Sequence, residues 1–478
     1  MHRGMFVLGL ILVLGGPLQS ALASAGQTDV VLSPRHYELA IEVDYDTETI
    51  QGNTRILVAN PSNKPVTYVS LLLYRLMQAK TVSNDRGQEL EFTQHVVPFS
   101  DFGKLQINHI VVTLAEPLAP QAETAIRVEY AGYLLGYSET GMHYIQDHIS
   151  PDFTILRDDS WAYPRPGYPS LSVIREIPQP SFTYSARITV PQDLTVANGG
   201  RLVSSDKHDD KVTYVYASIK PSWRMDFAIA KYSLLSEGPI RIYCLPGDEE
   251  GAAGVARAAR TALGLFETWF GALRGEKGLA FIEIPDGWGS QTDVTAIIQT
   301  AAAFRDPTLH REVYHEVSHL WNVPATDRPS PRLEEGLATF LEYLVTQEAT
   351  GNAVVEARAD QLMEWLRQEL PRHPAWRKVP LLEYGQAQLT DLSYSVGALM
   401  FDLLYRLVGP AGFNKAIGNY YQQFGEPGGT TEDFIQLISR NSPTDLSRLF
   451  EDWIYTSRWA ERVVESRKLQ DLLHHYEK

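Results

Sequence analysis

Two histidines four residues apart, with a glutamate directly after the first, form the strongest chemical signal in the sequence. The segment reads His315-Glu316-Val317-Ser318-His319. Because residues four apart lie on one face of an α-helix, the two imidazoles can bind one metal ion together. Glu316 projects at the edge of that face, where it can reach a metal-bound water without being a ligand. The spacing therefore predicts a metal site that activates water.

A third ligand follows at a useful distance, in a predicted helix that begins at Pro331. Glu334 and Glu335 differ by about 100° around a helix, so only one of them can face the metal, and we assign Glu335. Two histidines and one carboxylate leave a fourth position open, which is the arrangement of catalytic zinc. We predict one Zn²⁺ per chain, bound by His315, His319 and Glu335. Gly336 removes a side chain where the two helices must approach closely.

The elements that position these residues have helical apolar spacing. From about residue 250 onward, apolar residues recur at intervals of three and four. The predicted helices span residues 252–270, 309–323, 331–347, 353–369, 393–408 and 431–439, and short strands are predicted at 279–284 and 294–298. The predicted ligands thus fall on two successive helices, which must pack together for the site to form.

The sequence before residue 245 has a different pattern. Residues 37–44, 54–58 and 186–190 alternate apolar and polar side chains at close to period two, and turn-forming runs such as residues 60–63 separate them. Many short strands between such turns predict a β-sandwich. The predicted fold is therefore multidomain α+β, with an N-terminal antiparallel β-sandwich followed by a mostly helical catalytic domain that contains a small β-sheet.

The first residues have the layout of a secretory signal peptide. An apolar run from Phe6 to Leu14 precedes small residues that suit cleavage, among them Ala23 and Ala25. The run is well short of the roughly 20 residues that span a bilayer, so we expect cleavage and no stable membrane span afterwards, with an uncleaved anchor as the alternative. We predict a secreted or periplasmic protein with a signal peptide over 1–25, the β-sandwich over 28–238, the catalytic domain over 239–460 and a C-terminal tail over 461–478.

Charge and cysteine content exclude some other classes. The formal net charge is −16, whereas nucleic-acid-binding surfaces are basic, so we expect no nucleic-acid partner. The only cysteine is Cys244. A single cysteine cannot form an intrachain disulfide, and its strand-like surroundings predict a core thiol rather than a nucleophile.

The residues around the motif resemble the membrane alanyl aminopeptidase family of gluzincins, which includes leukotriene-A4 hydrolase. The resemblance is carried by the segment from His315 to Trp321 and by Glu335-Gly336-Leu337-Ala338, and it extends over most of the chain. It implies a β-sandwich followed by a thermolysin-like catalytic domain that acts on peptides. Family members also place a tyrosine opposite the zinc in a Tyr-x-x-Gly helix start, and Tyr394 matches that position.

The sequence departs from the family in two places. The family usually has 18 residues between the second histidine and the ligand glutamate, whereas this chain has 15. The family's Gly-x-Met-Glu-Asn motif, whose glutamate holds the substrate amine, is also not present. In its place stands a stretch that includes Gly289, Gln291 and Asp293, which we predict to bind substrate. Gln291 carries no charge. Asp293 can take the place of the glutamate if its side chain points into the cleft, whereas the cleft has no anchor for the substrate amine if it points away.

These observations predict zinc-dependent hydrolysis of peptide bonds, of the aminopeptidase type. Glu316 acts as general base and acid towards a zinc-activated water, and Tyr394 stabilises the developing oxyanion. Two alternatives stay open. The altered amine-binding motif is compatible with an endopeptidase or another zinc hydrolase, and also with a non-catalytic binding protein on the same scaffold.

Overall fold

A computed structural model describes residues 30–137, 145–176, 180–275, 278–385, 387 and 389–477. The predicted signal peptide, residues 1–25, lies outside the described residues. The N-terminal region is built almost entirely of strands. They are β1 (Ser33–Asp44), β2 (Thr49–Ala59), β3 (Val66–Tyr74), β4 (Met77–Asn84), β5 (Phe92–Pro98), β6 (Gln106–Leu118), β7 (Glu123–Tyr133), β8 (Thr154–Leu156), β9 (Arg165–Pro166), β10 (Thr183–Pro191), β11 (Thr195–Ala197), β12 (Arg201–His208), β13 (Lys211–Ala217) and β14 (Phe227–Ala230).

Two sheets of this region pack face to face. A seven-stranded sheet has the order β12-β13-β10-β1-β2-β7-β4, and a four-stranded sheet has the order β5-β6-β3-β9. Both contribute to one apolar core. The alternation predicted for β1 is confirmed, because Tyr37, Leu39, Ile41 and Val43 are all buried while their neighbours are more exposed. The prediction of an antiparallel sandwich needs one correction, since β1 pairs with β10 in parallel.

A five-stranded sheet begins the second region. Its strands are β15 (Ser233–Glu237), β16 (Ile240–Cys244), β17 (Leu279–Ile284), β18 (Gln291–Thr292) and β19 (Ala296–Thr300), in the order β15-β16-β17-β19-β18. β15 and β16 form a hairpin whose turn contains Gly238, at φ 62°. The boundary predicted at 238/239 falls in this turn, so the sheet assigns β15 to the second region. Cys244 is buried, as predicted.

The two faces of this sheet meet different partners. Side chains such as Ile242 and Phe281 join the core of the helical region. Their neighbours along the strands, such as Tyr243 and Ile282, pack against a small third sheet of order β11-β14-β8. Because successive side chains of a strand point to opposite faces, one short sheet attaches the β-rich region to the helical region. Its edge strand β18 lies at that junction.

The α-helices complete the second region, apart from the short α1 of the N-terminal region. They are α1 (Leu171–Glu176), α2 (Glu249–Phe270), α3 (Ala302–Arg305), α4 (His310–Ser318), α5 (Leu337–Thr350), α6 (Val354–Glu369), α7 (Thr390–Val408), α8 (Pro410–Phe424), α9 (Thr431–Arg440), α10 (Ser447–Phe450), α11 (Trp459–Glu465) and α12 (Leu469–His474). A 3₁₀ turn at His319–Trp321 continues α4, and a π-helical turn at Arg332–Gly336 leads into α5.

The predicted helices are present, with ends that differ by a few residues, and α8 was not predicted. The residues predicted as a tail, 461–478, continue α11 and contain α12. Leu472 is fully buried, and the hydroxyl of Tyr476 accepts a hydrogen bond from Nε1 of Trp453. Among the described residues no single helix is long and apolar enough to cross a membrane, although α7 and α8 pass that test together across a 120° bend.

Candidate metal centre and active site

The structure brings the three predicted ligands together. One donor atom each from His315, His319 and Glu335 lies within 4.8 Å of the other two. Oε2 of Glu335 is 3.3 Å from Nε2 of His315 and 3.6 Å from Nε2 of His319. Glu334, the residue set aside, is not in this group. Two imidazole nitrogens and a carboxylate oxygen are donors that suit Zn²⁺, and three protein ligands leave room for a fourth.

The backbones that carry Glu335 and Tyr394 meet at two glycines. A Cβ atom on Gly336 would lie 2.8 Å from Cα of Gly397, and one on Gly397 would lie 2.9 Å from Cα of Gly336. Gly336 lies at a close approach of two elements, but its neighbour is α7 and not the helix that carries the two histidines. The ligand itself lies in the π-helical turn Arg332–Gly336, a deviation that is frequent at functional sites.

A buried chain of polar groups orients the first histidine. Nδ1 of His315 is 3.0 Å from Oε2 of Glu342, and Nη1 of Arg311 donates to Oε1 of Glu342 at 3.0 Å. The side-chain amide of Asn322 lies 3.0 Å from Nδ1 of His319. Such partners set the ring orientation and leave Nε2 of each ring directed at the metal position.

The electrostatics of the pocket also suit a cation. Although burial opposes it, Glu335 and Glu342 raise the pKa of His315 to about 10. Burial lowers the pKa of His319 to about 4. Burial acts against ionisation of Glu335 as well, yet the two imidazoles hold its pKa at about 2. Because ligands must bind a metal in their deprotonated form, a divalent cation would replace the proton of His315 as the partner of Glu335.

Glu316 is held beside the ligands by a residue that the sequence analysis did not select. The hydroxyl of Thr292 donates to Oε2 of Glu316 at 2.6 Å and to the backbone oxygen of Glu316 at 2.9 Å. Burial raises the pKa of Glu316 to about 7. A carboxyl with that pKa can both accept and return a proton near neutral pH.

Tyr394 lies against the same cluster. Its ring stacks on the ring of His315, with centroids 5.8 Å apart and planes 8° apart, and its hydroxyl is hydrogen-bonded to Glu335. The side chain is 39% exposed, so it lies at the open side of the site. Burial and the nearby Glu335 carboxylate raise the pKa of Tyr394 well above its usual range, so the phenol keeps its proton and can donate it in a hydrogen bond.

The residues predicted to bind substrate lie along strand β18 but differ in direction. Gly289 precedes the strand with φ 55°. The side chain of Gln291 is half-buried and lies beside Asp159 of the β-rich region. Asp293 is buried, and its Oδ1 accepts hydrogen bonds from the hydroxyl of Ser222 and from its following backbone N–H. The Asp293 carboxylate is therefore bound within the protein and lies apart from the metal cluster.

Sequence reasoning missed several of these side chains, and three of them had a usable signal. Glu342 is two helical turns after Glu335, and Arg311 is four residues before His315, so each shares a helix face with a ligand. Thr292 stands at the fourth position counted from Gly289, where the family motif has its glutamate. Asp159 had no local signal, because it is 157 residues before Glu316 in the chain.

A comparison with family models relates one segment of the chain to a known peptidase domain. Residues 293–453, which contain all three predicted metal ligands, match the model of the peptidase family M1 domain. The match relates this part of the chain to the M1 peptidases. The match also includes Glu316 and Tyr394 and begins at Asp293.

Curated proteins similar to this chain are named as aminopeptidases. Glutamyl aminopeptidase of Sus scrofa is 21% identical over 475 residues, covering 92% of this chain and 49% of the relative. Mitochondrial aminopeptidase 2 of Saccharomyces cerevisiae is 22% identical over 445 residues, covering 88% and 46%. The chain thus spans about half the length of the curated relatives it matches.

Solved M1 structures share the fold over nearly the whole chain. The M1 zinc metallopeptidase from Deinococcus radiodurans has a TM-score of 0.63 and 19% identity, covering 92% of this chain and 94% of its own. A mutant of that enzyme bound to a Tyr-Ser-Ala substrate has a TM-score of 0.63 and 18% identity, covering 89% and 94%. At this identity the likeness establishes a common two-part fold, a β-rich region followed by a helical one.

Proposed function

We propose that this protein is a zinc-dependent peptidase. The observation that carries the proposal is the convergence of His315, His319 and Glu335, with the carboxyl of Glu316 and the phenol of Tyr394 beside them. The M1 family match supports it. A structural metal site has no need of the last two groups, whereas hydrolysis needs a base and an oxyanion donor.

Each side chain of the site has a separate role in the proposed hydrolysis. A zinc ion at this position supplies a Lewis acid that lowers the pKa of water and polarises a carbonyl. Glu316 takes the proton of the attacking water and delivers it to the leaving amine, and Thr292 holds its carboxylate for that transfer. The phenol of Tyr394 donates a hydrogen bond to the developing oxyanion.

An extended peptide fits the sheet edge beside Glu316. β18 is the last strand in the order of its sheet and pairs with β19 on one side only. The backbone groups on its other side pair with no described strand, and Thr292 of this strand contacts the general base. An edge strand of this kind binds an extended peptide through main-chain hydrogen bonds. This supports a peptide as substrate, with its scissile bond near Glu316 in the proposed complex.

The activity we propose is that of an aminopeptidase, with Asp159 as the group that holds the substrate amine. Asp159 has a side chain 24% exposed, and it lies beside Gln291 of strand β18. Burial works against its ionisation, but Arg224 and Arg157 lower the pKa of Asp159 to about 2, so it is a carboxylate at neutral pH. A substrate ammonium donates a charge-assisted hydrogen bond to a carboxylate that it can reach. Asp293 is buried and bonded to Ser222, so it is less suited to that role than the partly exposed Asp159.

Metal content and turnover test the first part of the proposal together. The purified protein should hold about one zinc per chain, and His319→Ala should lose it. Glu316→Gln should keep the zinc and lose most peptide turnover, because Glu316 is a base and not a ligand. Zinc binding without turnover in the unmodified protein would favour a binding protein on this scaffold.

N-terminal acetylation tests the second part. A peptide with a free amine should be cut with a much higher kcat/KM than its acetylated form, and Asp159→Ala should remove most of that preference. Equal cleavage of the two peptides would leave an endopeptidase or a peptidase with another specificity. Asp293→Ala is less informative, because it breaks a buried hydrogen bond.

Export is a separate proposal, supported by the apolar run from Phe6 to Leu14 and the small residues after it. The mature chain is expected to begin near Ser24 or Gly26. Mass spectrometry of the protein from the producing cell should find that new N-terminus, while a chain that still begins at Met1 would refute cleavage.

A further inference from the structure

The turn that presents Asp159 has an unusual backbone. Residues Asp158–Ser160 form one 3₁₀ turn, and the next residue, Trp161, has φ 50° and ψ 41°. This left-handed conformation is uncommon for a residue other than glycine and is unfavourable for a large side chain. Such a backbone persists only where the surrounding structure imposes it, and it is often found at functional sites.

Apolar packing holds this conformation from one side. Trp161 is only 5% exposed, and its ring lies 5.5 Å from the ring of Phe99 and 5.7 Å from that of Tyr137. Its backbone oxygen accepts a hydrogen bond from the backbone N–H of Tyr74. The indole is thus anchored in the core of the sandwich, and of the three residues in the turn before it only Asp159 is partly exposed.

A buried guanidinium holds the turn from the other side. Nη2 of Arg224 donates to Oδ2 of Asp159 at 2.8 Å and to Oδ1 of Asp226 at 3.1 Å, while its Nε donates to Oδ2 of Asp226 at 2.6 Å. The side chain of Arg224 is only 3% exposed. Asp226 in turn accepts a hydrogen bond from the backbone N–H of Asp158 at 3.3 Å. Arg224 therefore links two carboxylates, and one of them belongs to the proposed amine anchor.

The same loop is tied to the substrate strand. Two residues before Arg224, the hydroxyl of Ser222 donates to Asp293, which directly follows β18. The backbone N–H of Arg224 donates to the hydroxyl of Ser222 at 3.2 Å. Because the loop contacts both the turn at Asp159 and the end of β18, it relates the position of the anchor to that of the strand.

We propose that Arg224 is a positioning residue, which sets the distance and direction of the Asp159 carboxylate relative to strand β18 and so determines recognition of the substrate ammonium. This rests on the proposed aminopeptidase function. The fork of a guanidinium reaches both carboxylates in one plane, whereas the single ammonium of a lysine cannot reproduce that geometry. Arg224 touches no substrate and acts through Asp159.

Several other charged groups influence Asp159, so a suitable control is needed. They are Arg157, Arg165, Asp147 and Asp158. Arg165 provides that control, since it forms an ion pair with Asp158 in the same turn, whereas Arg224 is the guanidinium that donates directly to Asp159. Arg165→Gln removes a partly buried cation from this network and leaves the contact between Arg224 and Asp159 in place.

The test compares Arg224→Lys, Arg224→Gln and Arg165→Gln in the full zinc-loaded chain, with an alanine p-nitroanilide and its N-acetyl form as probes. We expect KM for the free-amine probe to rise about tenfold in Arg224→Lys, and further in Arg224→Gln, with kcat changed little. Zinc content should stay at the wild-type value in all three. Arg165→Gln should keep the wild-type KM.

Two further readouts separate positioning from a loss of stability. In the Asp159→Ala background, Arg224→Lys should have no additional effect on KM, because both changes remove one function. The acid limb of kcat/KM should move to higher pH in Arg224→Gln, since Asp159 binds a proton more readily without its guanidinium partner. Arg224→Lys keeps a positive charge at this position, so it still tests the proposal if Arg224→Gln does not fold.

The outcomes distinguish this inference from the function on which it rests. If the wild-type chain cuts both probes equally, the proposed aminopeptidase function is wrong. If the wild type prefers the free amine and Asp159→Ala removes that preference, yet both Arg224 variants keep the wild-type KM, the positioning role is refuted. Additive effects of Asp159→Ala and Arg224→Lys would also refute it.

Discussion

Adding one methyl group at Gly336 should push α7, which carries Tyr394, away from the π-helical turn that carries Glu335. In Gly336→Ala the new Cβ would lie 2.8 Å from Cα and 3.0 Å from the carbonyl carbon of Gly397, and 3.1 Å from the backbone oxygen of Ser393. Carbon atoms in contact normally lie about 3.5–4.0 Å apart. Since all three atoms belong to the backbone, α7 must move away from the π-helical turn by roughly 0.7–1.2 Å, the difference between these distances.

Both stability and function should respond to that movement. Overpacking of this size costs about 1–3 kcal/mol. The ligand Glu335 is the neighbour of Gly336, and Tyr394 is three residues before Gly397, so the shift changes the distance between the carboxylate and the phenol. A displacement of about 1 Å near reacting groups can reduce turnover by roughly 10²-fold. We expect a lower free energy of unfolding together with a large fall in kcat.

Gly264→Ala is the matched control. Gly264 lies in the middle of α2, is exposed, and has no other atom within 4 Å of a Cβ built on it. Alanine there should stabilise the protein by about 0.4–1 kcal/mol, because it lowers the conformational entropy of the unfolded chain and causes no clash in the folded one. Urea unfolding of both variants, with zinc titration and peptide turnover, measures the contrast. If Gly336→Ala is as stable as Gly264→Ala and keeps wild-type kcat, the close helix contact does not position the site.

Three other changes have definite expected results. Glu342→Gln should weaken zinc binding about 10–100-fold in a chelator competition, because His315 loses its carboxylate partner, while the exposed Glu348→Gln on the same helix should not. Tyr394→Phe should lower kcat by roughly 10²–10³ with KM little changed, and a near-native kcat would exclude an oxyanion role. Burial raises the pKa of Glu283 to about 9 from 4.5, so the folded state keeps a proton that the unfolded state loses, and stability falls as pH rises from about 4.5 to 9. Glu283→Gln should therefore gain stability relative to wild type across that range in urea unfolding, and parallel curves would contradict a buried neutral carboxyl.

Much of the fold was predictable because its signals are local. Alternation of apolar residues along β1 and three- to four-residue spacing along α2 and α6 depend only on which face of an element is buried. The boundary between the β-rich and helical regions was harder to predict from the sequence. Strand β15 belongs to the second region through its pairing with β16, and no property of residues 233–237 alone specifies that partner. The parallel pairing of β1 with β10 is likewise a contact between strands 147 positions apart in sequence.

The candidate site also combines features of local sequence with features that depend on tertiary contacts. His315 and His319 converge because a helix places residues four apart on one face, and that geometry is a property of the local sequence. The angle between neighbouring residues of a helix limits the ligand to one of Glu334 and Glu335, and the structure brings Glu335 to the histidines. The meeting of Glu335 with the histidines, however, depends on the packing of α4 against α5, and the meeting of Glu335 with Tyr394 depends on the glycine contact between the π-helical turn and α7. Both contacts are tertiary features.

The direction of each side chain near the amine position was decided by tertiary structure alone. By sequence, Asp293 is the acid nearest to the altered motif, and it was the candidate anchor. The fold instead buries Asp293 against Ser222 and brings Asp159 from the β-rich region to Gln291. The sequence determined which groups can bind a metal and move a proton, because spacing within one helix is enough for that. Which carboxylate faces a substrate depends on contacts between distant segments, and local spacing carries no information about them.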